Sequence, residues 1–107
     1  MTLNEYQEQS QETAFYPDRG NNVYYPAIGL AGEAGEVCNQ IKKIMRDDNG
    51  VVTSPREAKL INELGDVLWY VAALATELRI DLNSVAKINI EKLKFRQNNN
   101  SLKGDNR

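Results

Sequence analysis

The sequence contains no histidine, which removes the commonest general base and the commonest transition-metal ligand. No Ser-His-Asp or Cys-His nucleophile system can be assembled within the chain. Di-iron bundles built on Glu-x-x-His ligands are excluded for the same reason. The single cysteine, Cys38, leaves no intrachain disulfide and fits a reducing compartment better than a secreted one. No apolar run approaches the roughly 18–20 residues that span a bilayer. The first residues, Met1-Thr2-Leu3-Asn4-Glu5-Tyr6, lack the basic and apolar regions of a signal peptide. A net charge of −2 gives no basic stripe for long nucleic acid. These absences predict a soluble, cytoplasmic protein that partners neither membrane nor long nucleic acid.

At 107 residues the chain is one domain with a modest core. Its working groups are carboxylates, lysines, arginines and tyrosines, a set suited to hard cations and phosphates. No segment alternates with period two, so the expected fold is all-α. A first helix spans 3–16 and stops at Pro17, and Asp18–Asn22 forms a loop. A second helix starts at Tyr25-Pro26 and runs to about Arg46, with Leu30, Ala34, Val37, Ile41, Ile44 and Met45 as its apolar stripe. Asp47-Asp48-Asn49-Gly50 closes it. Ser54 caps a third helix, with Pro55 in its first turn and Glu57 completing a capping box. Leu60, Leu64, Val67, Val71, Leu74 and Leu78 form its stripe, and it ends near Arg79. Asp81 caps a fourth helix carrying Val85, Ile88, Leu93 and Phe95. The expected architecture is a four-helix bundle over residues 1–96, followed by a polar, disordered tail over 97–107.

Helices two and three echo one another. Leu30-Ala-Gly-Glu33-Ala-Gly35-Glu36-Val37 aligns without a gap on Leu60-Ile-Asn-Glu63-Leu-Gly65-Asp66-Val67. With Leu30 and Leu60 at zero on a wheel of about 100° per residue, Glu33 and Glu63 fall near −60°. Glu36 and Asp66 fall near −120° and Tyr70 near −80° on the same wheel. Packed antiparallel, the two helices bring four acids to the border between core and solvent. Carboxylates gathered there repel one another and raise each other's pKa, so a cation is needed. Mg²⁺ takes oxygen ligands and keeps waters for itself and a phosphate, and acids three apart share one helix surface. Gly29, Gly32 and Gly35 are costly inside a helix and imply close backbone approach or room for a ligand. Acids at this spacing are common on solvated helix surfaces, but helix packing alone does not require them to repeat.

Gly29–Val37, followed by Glu63-Leu64-Gly65-Asp66-Val67-Leu68-Trp69-Tyr70, resembles the MazG-like all-α nucleoside triphosphate pyrophosphohydrolases, whose signature is Glu-x-x-Glu, a spacer, then Glu-x-x-Asp. Ile80-Asp81-Leu82 and the segment Asn89–Arg96 continue the resemblance, which covers roughly residues 25–96. It implies cleavage of (deoxy)nucleoside triphosphates between the α- and β-phosphates, with Glu33, Glu36, Glu63 and Asp66 holding Mg²⁺, or Mn²⁺ in its place. It implies phosphate contacts from Lys92 and Arg96, with Asn89 nearby and Lys59 as a further contact, and a homodimer or homotetramer.

The residues agree in part. Asn89, Lys92 and Arg96 share one face of the last helix, where arginine forks and lysine point charges suit phosphate. Basic residues there also simply oppose the helix dipole. Tyr70 can stack on a base, bond a phosphate or serve as a core tyrosine; Tyr24 and Tyr25 are candidates for the base pocket. Trp69 points away from the stripe and needs cover from the first helix or a second subunit. Lys42, Lys43 and Arg46 read as a solvated helix end, and Cys38 as an inert core residue. Competing readings are a related enzyme acting on dUTP or phosphoribosyl-ATP, a non-catalytic nucleotide-binding or interaction module, and a purely structural bundle.

Overall fold

The computed structural model describes residues 1–99. They form α1 (Leu3–Ser10), α2 (Tyr24–Asp47), α3 (Ser54–Glu77) and α4 (Leu82–Asn98), with a 3-10 turn at Gln11–Thr13. No strand occurs among them. Gln97 and Asn98, which the sequence places in the polar tail, complete the last turn of α4. The rest of that expectation, from residue 100 on, lies outside the described residues.

α1 opens with a reciprocal capping box between Thr2 and Glu5, which satisfies two of the amides a helix start leaves open. It does not continue to Tyr16 as expected. The Ser10 hydroxyl turns back onto the Gln7 carbonyl at 2.7 Å and the Thr13 hydroxyl onto the Ser10 carbonyl at 3.0 Å, local bonds that compete with helix propagation. The chain then extends at Ala14 and buries both Ala14 and Tyr16.

α3 is capped by Thr53 rather than Ser54; the Thr53 hydroxyl accepts from the Arg56 amide at 3.5 Å. The Arg56 guanidinium reaches back to Asp48 at 2.8 Å and ties the α2–α3 turn to the new helix. At its other end α3 stops at Glu77, two residues early. Arg79 takes a left-handed φ of 61°, and the amides of Arg79 and Ile80 close onto the Thr76 and Ala75 carbonyls. This is a Schellman stop with arginine where glycine is usual.

The core differs from the expected leucine stripes. Its centre is Ala72, Ala75 and Leu82, with Tyr6 and Val71 packed against them. Small side chains let α1 and the start of α4 approach the α3 backbone closely. In α2 the buried residues are Pro26, Gln40 and Ile44, at about −40° to −80° on the wheel used above. The α2–α3 seam is therefore rotated toward the acidic flank. That rotation strands the other side of each stripe in solvent, with Met45 70% and Leu64 56% exposed. Ile41, Leu78, Val85, Ile88 and Phe95 are exposed as well, and so is Cys38, which the sequence placed in the core.

Candidate metal and nucleotide site

The rotated seam carries the acids inward. Glu33 from α2 and Glu63 and Asp66 from α3 each offer a carboxylate oxygen, and these oxygens lie within 4.8 Å of one another. Glu33 and Glu63 are half-buried and Asp66 is exposed. Burial pushes the Glu33 carboxyl above its ordinary range, and the charges of Asp66, Glu63 and Glu36 push it further. Glu36 thus acts on the cluster electrostatically while its own oxygens stay outside the trio, on an exposed turn.

The donors are all oxygens and all anionic, which fits a hard divalent cation and not a soft one. Gln40 lies one turn beyond Glu36 on the same flank, and its buried side-chain oxygen has no hydrogen-bond partner among the described residues, a cost of about 1–3 kcal/mol. Glu33, Glu63 and Asp66 would hold the ion.

A cavity of about 380 Å³ opens beside the acids, lined by Thr13, Glu33, Asp66, Trp69 and Tyr70. Its aromatic wall is ordered. The Trp69 indole N–H donates to the Ser10 carbonyl at 3.1 Å and to the Thr13 hydroxyl at 2.8 Å, so α1 and its 3-10 turn cover Trp69 within the chain. The Tyr70 ring meets Trp69 edge-on at 4.9 Å. Burial raises the Tyr70 hydroxyl pKa, helped by Tyr25 and by the charges of Glu33 and Asp66. Tyr6 of α1 is raised likewise, by burial and then by the charge of Asp66.

Of the three helical glycines of α2, only Gly29 has a packing reason to be glycine. A Cβ there would overlap the Tyr70 ring, whereas Gly32 and Gly35 face open space. A larger groove of about 530 Å³ lies elsewhere on α2, lined by Val37, Cys38, Ile41, Lys42, Met45 and Arg46. It holds no acid and belongs to the exposed apolar stripe, so the smaller cavity is the candidate site.

The remaining expected residues are distributed differently. Asn89 and Lys92 are exposed on α4 and Arg96 is half-buried there; α4 packs principally against α1. Lys59 is exposed one turn before Glu63. Tyr24 is 76% exposed, while Tyr25 stacks on Tyr16 at 4.8 Å. Arg46 pairs with Asp47 at 2.8 Å as part of a solvated helix end. Thr13 was not visible as a site residue, because only the early end of α1 swings it over the acids. Trp69 as a cavity wall was missed for the same reason.

Two helices that share an acid-only cluster beside an aromatic-walled cavity define an α-helical domain with a candidate cation site. Comparison with known proteins narrows that class. Residues 27–101 match the MazG nucleotide pyrophosphohydrolase domain, and the chain belongs to that family. It is 42% identical to the Gene 37 protein of Mycobacterium phage L5 over the full length of both chains. It is 37% identical to YvdC of Bacillus subtilis, an uncharacterized protein, over 74% of this chain and 82% of that one. No solved structure matches the sequence significantly. Among the described residues no helix is long and apolar enough to cross a membrane.

Proposed function

We propose that the protein hydrolyses (deoxy)nucleoside triphosphates between the α- and β-phosphates, releasing a nucleoside monophosphate and pyrophosphate. The observation that carries this reading is the convergence of Glu33, Glu63 and Asp66 in a chain of a pyrophosphohydrolase family. Bound Mg²⁺, or Mn²⁺ in its stead, would supply charge neutralisation for the phosphates and a more acidic water.

In the proposed reaction a water oxygen attacks the α-phosphorus. The bond to the bridging oxygen breaks, and pyrophosphate leaves with that oxygen. Glu36, which is free of the trio, or Glu33 would accept the water's proton. Asn89, Lys92 and Arg96 on α4 and Lys59 on α3 would hold the β- and γ-phosphates and stabilise the leaving charge. Tyr70 and Trp69 would wall the nucleotide beside the acids.

The test is a panel of nucleotides incubated with Mg²⁺, scored for monophosphate, diphosphate, phosphate and pyrophosphate. We expect monophosphate and pyrophosphate from at least one (d)NTP, and no turnover in chelator. Orthophosphate and diphosphate without pyrophosphate would overturn the assignment. Preference for dUTP or phosphoribosyl-ATP on the same panel would redirect the substrate while keeping the chemistry.

We also infer that the working form is a homo-oligomer. Trp69, which the sequence offers as a reason for a second subunit, is covered by α1. The support comes instead from the exposed faces of the α2–α3 hairpin. Cys38, Ile41, Met45, Ile61, Leu64 and Leu68 are all exposed there, an apolar surface of the kind that marks association.

A further inference from the structure

Glu77, the last residue of α3, plays no part in the chemistry above, yet it is among the few buried charged groups of the fold, 9% exposed. It also sits where a negative charge is disfavoured, at a helix C-terminus. Its carboxylate accepts three hydrogen bonds. The Tyr16 hydroxyl and the Gly20 amide donate to Oε2, the latter at 2.8 Å, and the Asn22 amide donates to Oε1 at 2.7 Å. Burial alone would raise this carboxyl; the bonds from Tyr16, Asn22 and Gly20, with the Arg19 charge, outweigh it and hold the carboxyl below its usual range. Glu77 is therefore an ionised clamp on the loop that leads into α2.

The clamp connects to the acidic cavity side chain by side chain. Tyr16 stacks on Tyr25 with rings 4.8 Å apart and nearly parallel. Tyr25 is fixed a second way, its amide donating to the Asn22 side chain at 3.1 Å, and Asn22 is itself held by Glu77. Tyr25 meets Tyr70 at 6.5 Å. Tyr70 fits against α2 only because residue 29 has no Cβ, and it lines the cavity with Glu33 and Asp66. Along α3, Asp66, Tyr70 and Glu77 stand at i, i+4 and i+11, on one flank of the helix.

We propose that Glu77 is a positioning residue of the nucleotide site: through Tyr16 and Tyr25 it fixes Tyr70, seated on Gly29, as the wall that orients the nucleotide against Glu33 and Asp66. This rests on the nucleotide reading of the cavity. The hydrogen bonds of the clamp run to Tyr16, Gly20 and Asn22 and not to the acids. Its loss should therefore disturb nucleotide placement and leave the bare metal site intact. A misplacement near 1 Å in a positioned site can lower the rate by about a hundredfold, so an effect of about ten- to a hundredfold on kcat/KM is expected.

The experiment compares wild type, Glu77→Gln, Gly29→Ala, Tyr70→Ala and the double variant Glu77→Gln/Tyr70→Ala, each confirmed folded by circular dichroism at the assay temperature. kcat and KM are measured with the best nucleotide of the panel. Mn²⁺ affinity is measured without nucleotide, by quenching of Trp69, the sole tryptophan of the chain. Expected are a loss of about tenfold or more in kcat/KM for Glu77→Gln and for Gly29→Ala and Mn²⁺ affinity within about twofold of wild type. In the Tyr70→Ala background, where the wall itself is gone, the Glu77→Gln loss should be largely absent, since residues acting through one another are not additive. Full additivity, or an unchanged kcat/KM in a folded Glu77→Gln, would overturn the proposal. If Glu77→Gln does not fold, Gly29→Ala decides alone, with an unchanged kcat/KM overturning it. If wild type turns over no nucleotide, the hydrolytic reading fails separately. The clamp is then judged by the affinity of an α,β-methylene triphosphate, read on Trp69: weaker binding in Gly29→Ala and Glu77→Gln supports it, and equal binding overturns it.

Discussion

Glu63→Gln and Asp66→Asn are each expected to abolish pyrophosphate release, with kcat lowered on the order of 10³-fold or more, as the loss of several kcal/mol of charge stabilisation dictates. Each change keeps the size and polarity of the side chain and removes the negative charge from one of the three carboxylates that, among the described residues, lie close enough to share an ion. Both variants should be slightly more stable than wild type in chelator. The Glu33 carboxyl is already pushed up by burial and by Asp66, Glu63 and Glu36, so removing a neighbouring charge relieves repulsion. Adding Mn²⁺ or Mg²⁺ should reverse the order. At about a hundred times the dissociation constant, ligand binding stabilises a folded protein by about 2.7 kcal/mol, and that gain should shrink in both variants. Thermal melts with and without the ion, run beside the turnover assay, separate a lost ligand from a lost fold. Near-normal turnover of either variant at saturating metal would remove these residues from the site.

Ile44→Ala should be the most damaging of the apolar truncations in α2, by about 2–5 kcal/mol. Ile44 is 3% exposed in the α2–α3 seam, and α1 and α4 do not compensate for a hole there. For a domain of this size each kcal/mol moves the melting temperature by about 4–8 °C, so a fall of ten degrees or more is expected. Its neighbour is the instructive control. Met45 is 70% exposed in the single chain, and truncating an exposed side chain alters stability by only about 0.5 kcal/mol. If a second copy covers that face, Met45→Ala should instead weaken assembly and lower the melting temperature in a concentration-dependent way. Light scattering and melts over a range of protein concentrations read both effects. A monomer at every concentration would confine the exposed stripe to some other use.

The acids were legible because their message is carried twice. A gapless echo over eight residues fixed their helices, their phase and their neighbours, and the seam places Glu33, Glu63 and Asp66 together. Glu36 shows the limit of wheel reasoning. Its phase matches that of Asp66, but its oxygens stand outside the trio, since inter-helix distance is not encoded in phase. The four helices were legible too, with ends displaced wherever a local hydroxyl or a left-handed residue intervened, as at Ser10 and Arg79. The core was less legible. Leucines dominate the stripes, yet the buried residues of α3 are Ala72, Ala73, Ala75 and Glu77. Small residues decide how closely helices approach, and the hydrophobic period does not report that. Helical periodicity does not single out Glu77, because its partners come from a loop more than fifty residues earlier.

The exposed Cys38 has a practical consequence. It is the chain's lone thiol and it borders the α2 groove with Ile41 and Met45, whereas the acidic cavity is lined by other residues. Any maleimide or alkylating reagent therefore marks one known spot, with no engineered handle. Its reaction rate becomes a footprint of whatever covers that groove: fast in a dilute monomer, and slowed as copies associate, under the same conditions in which turnover is assayed.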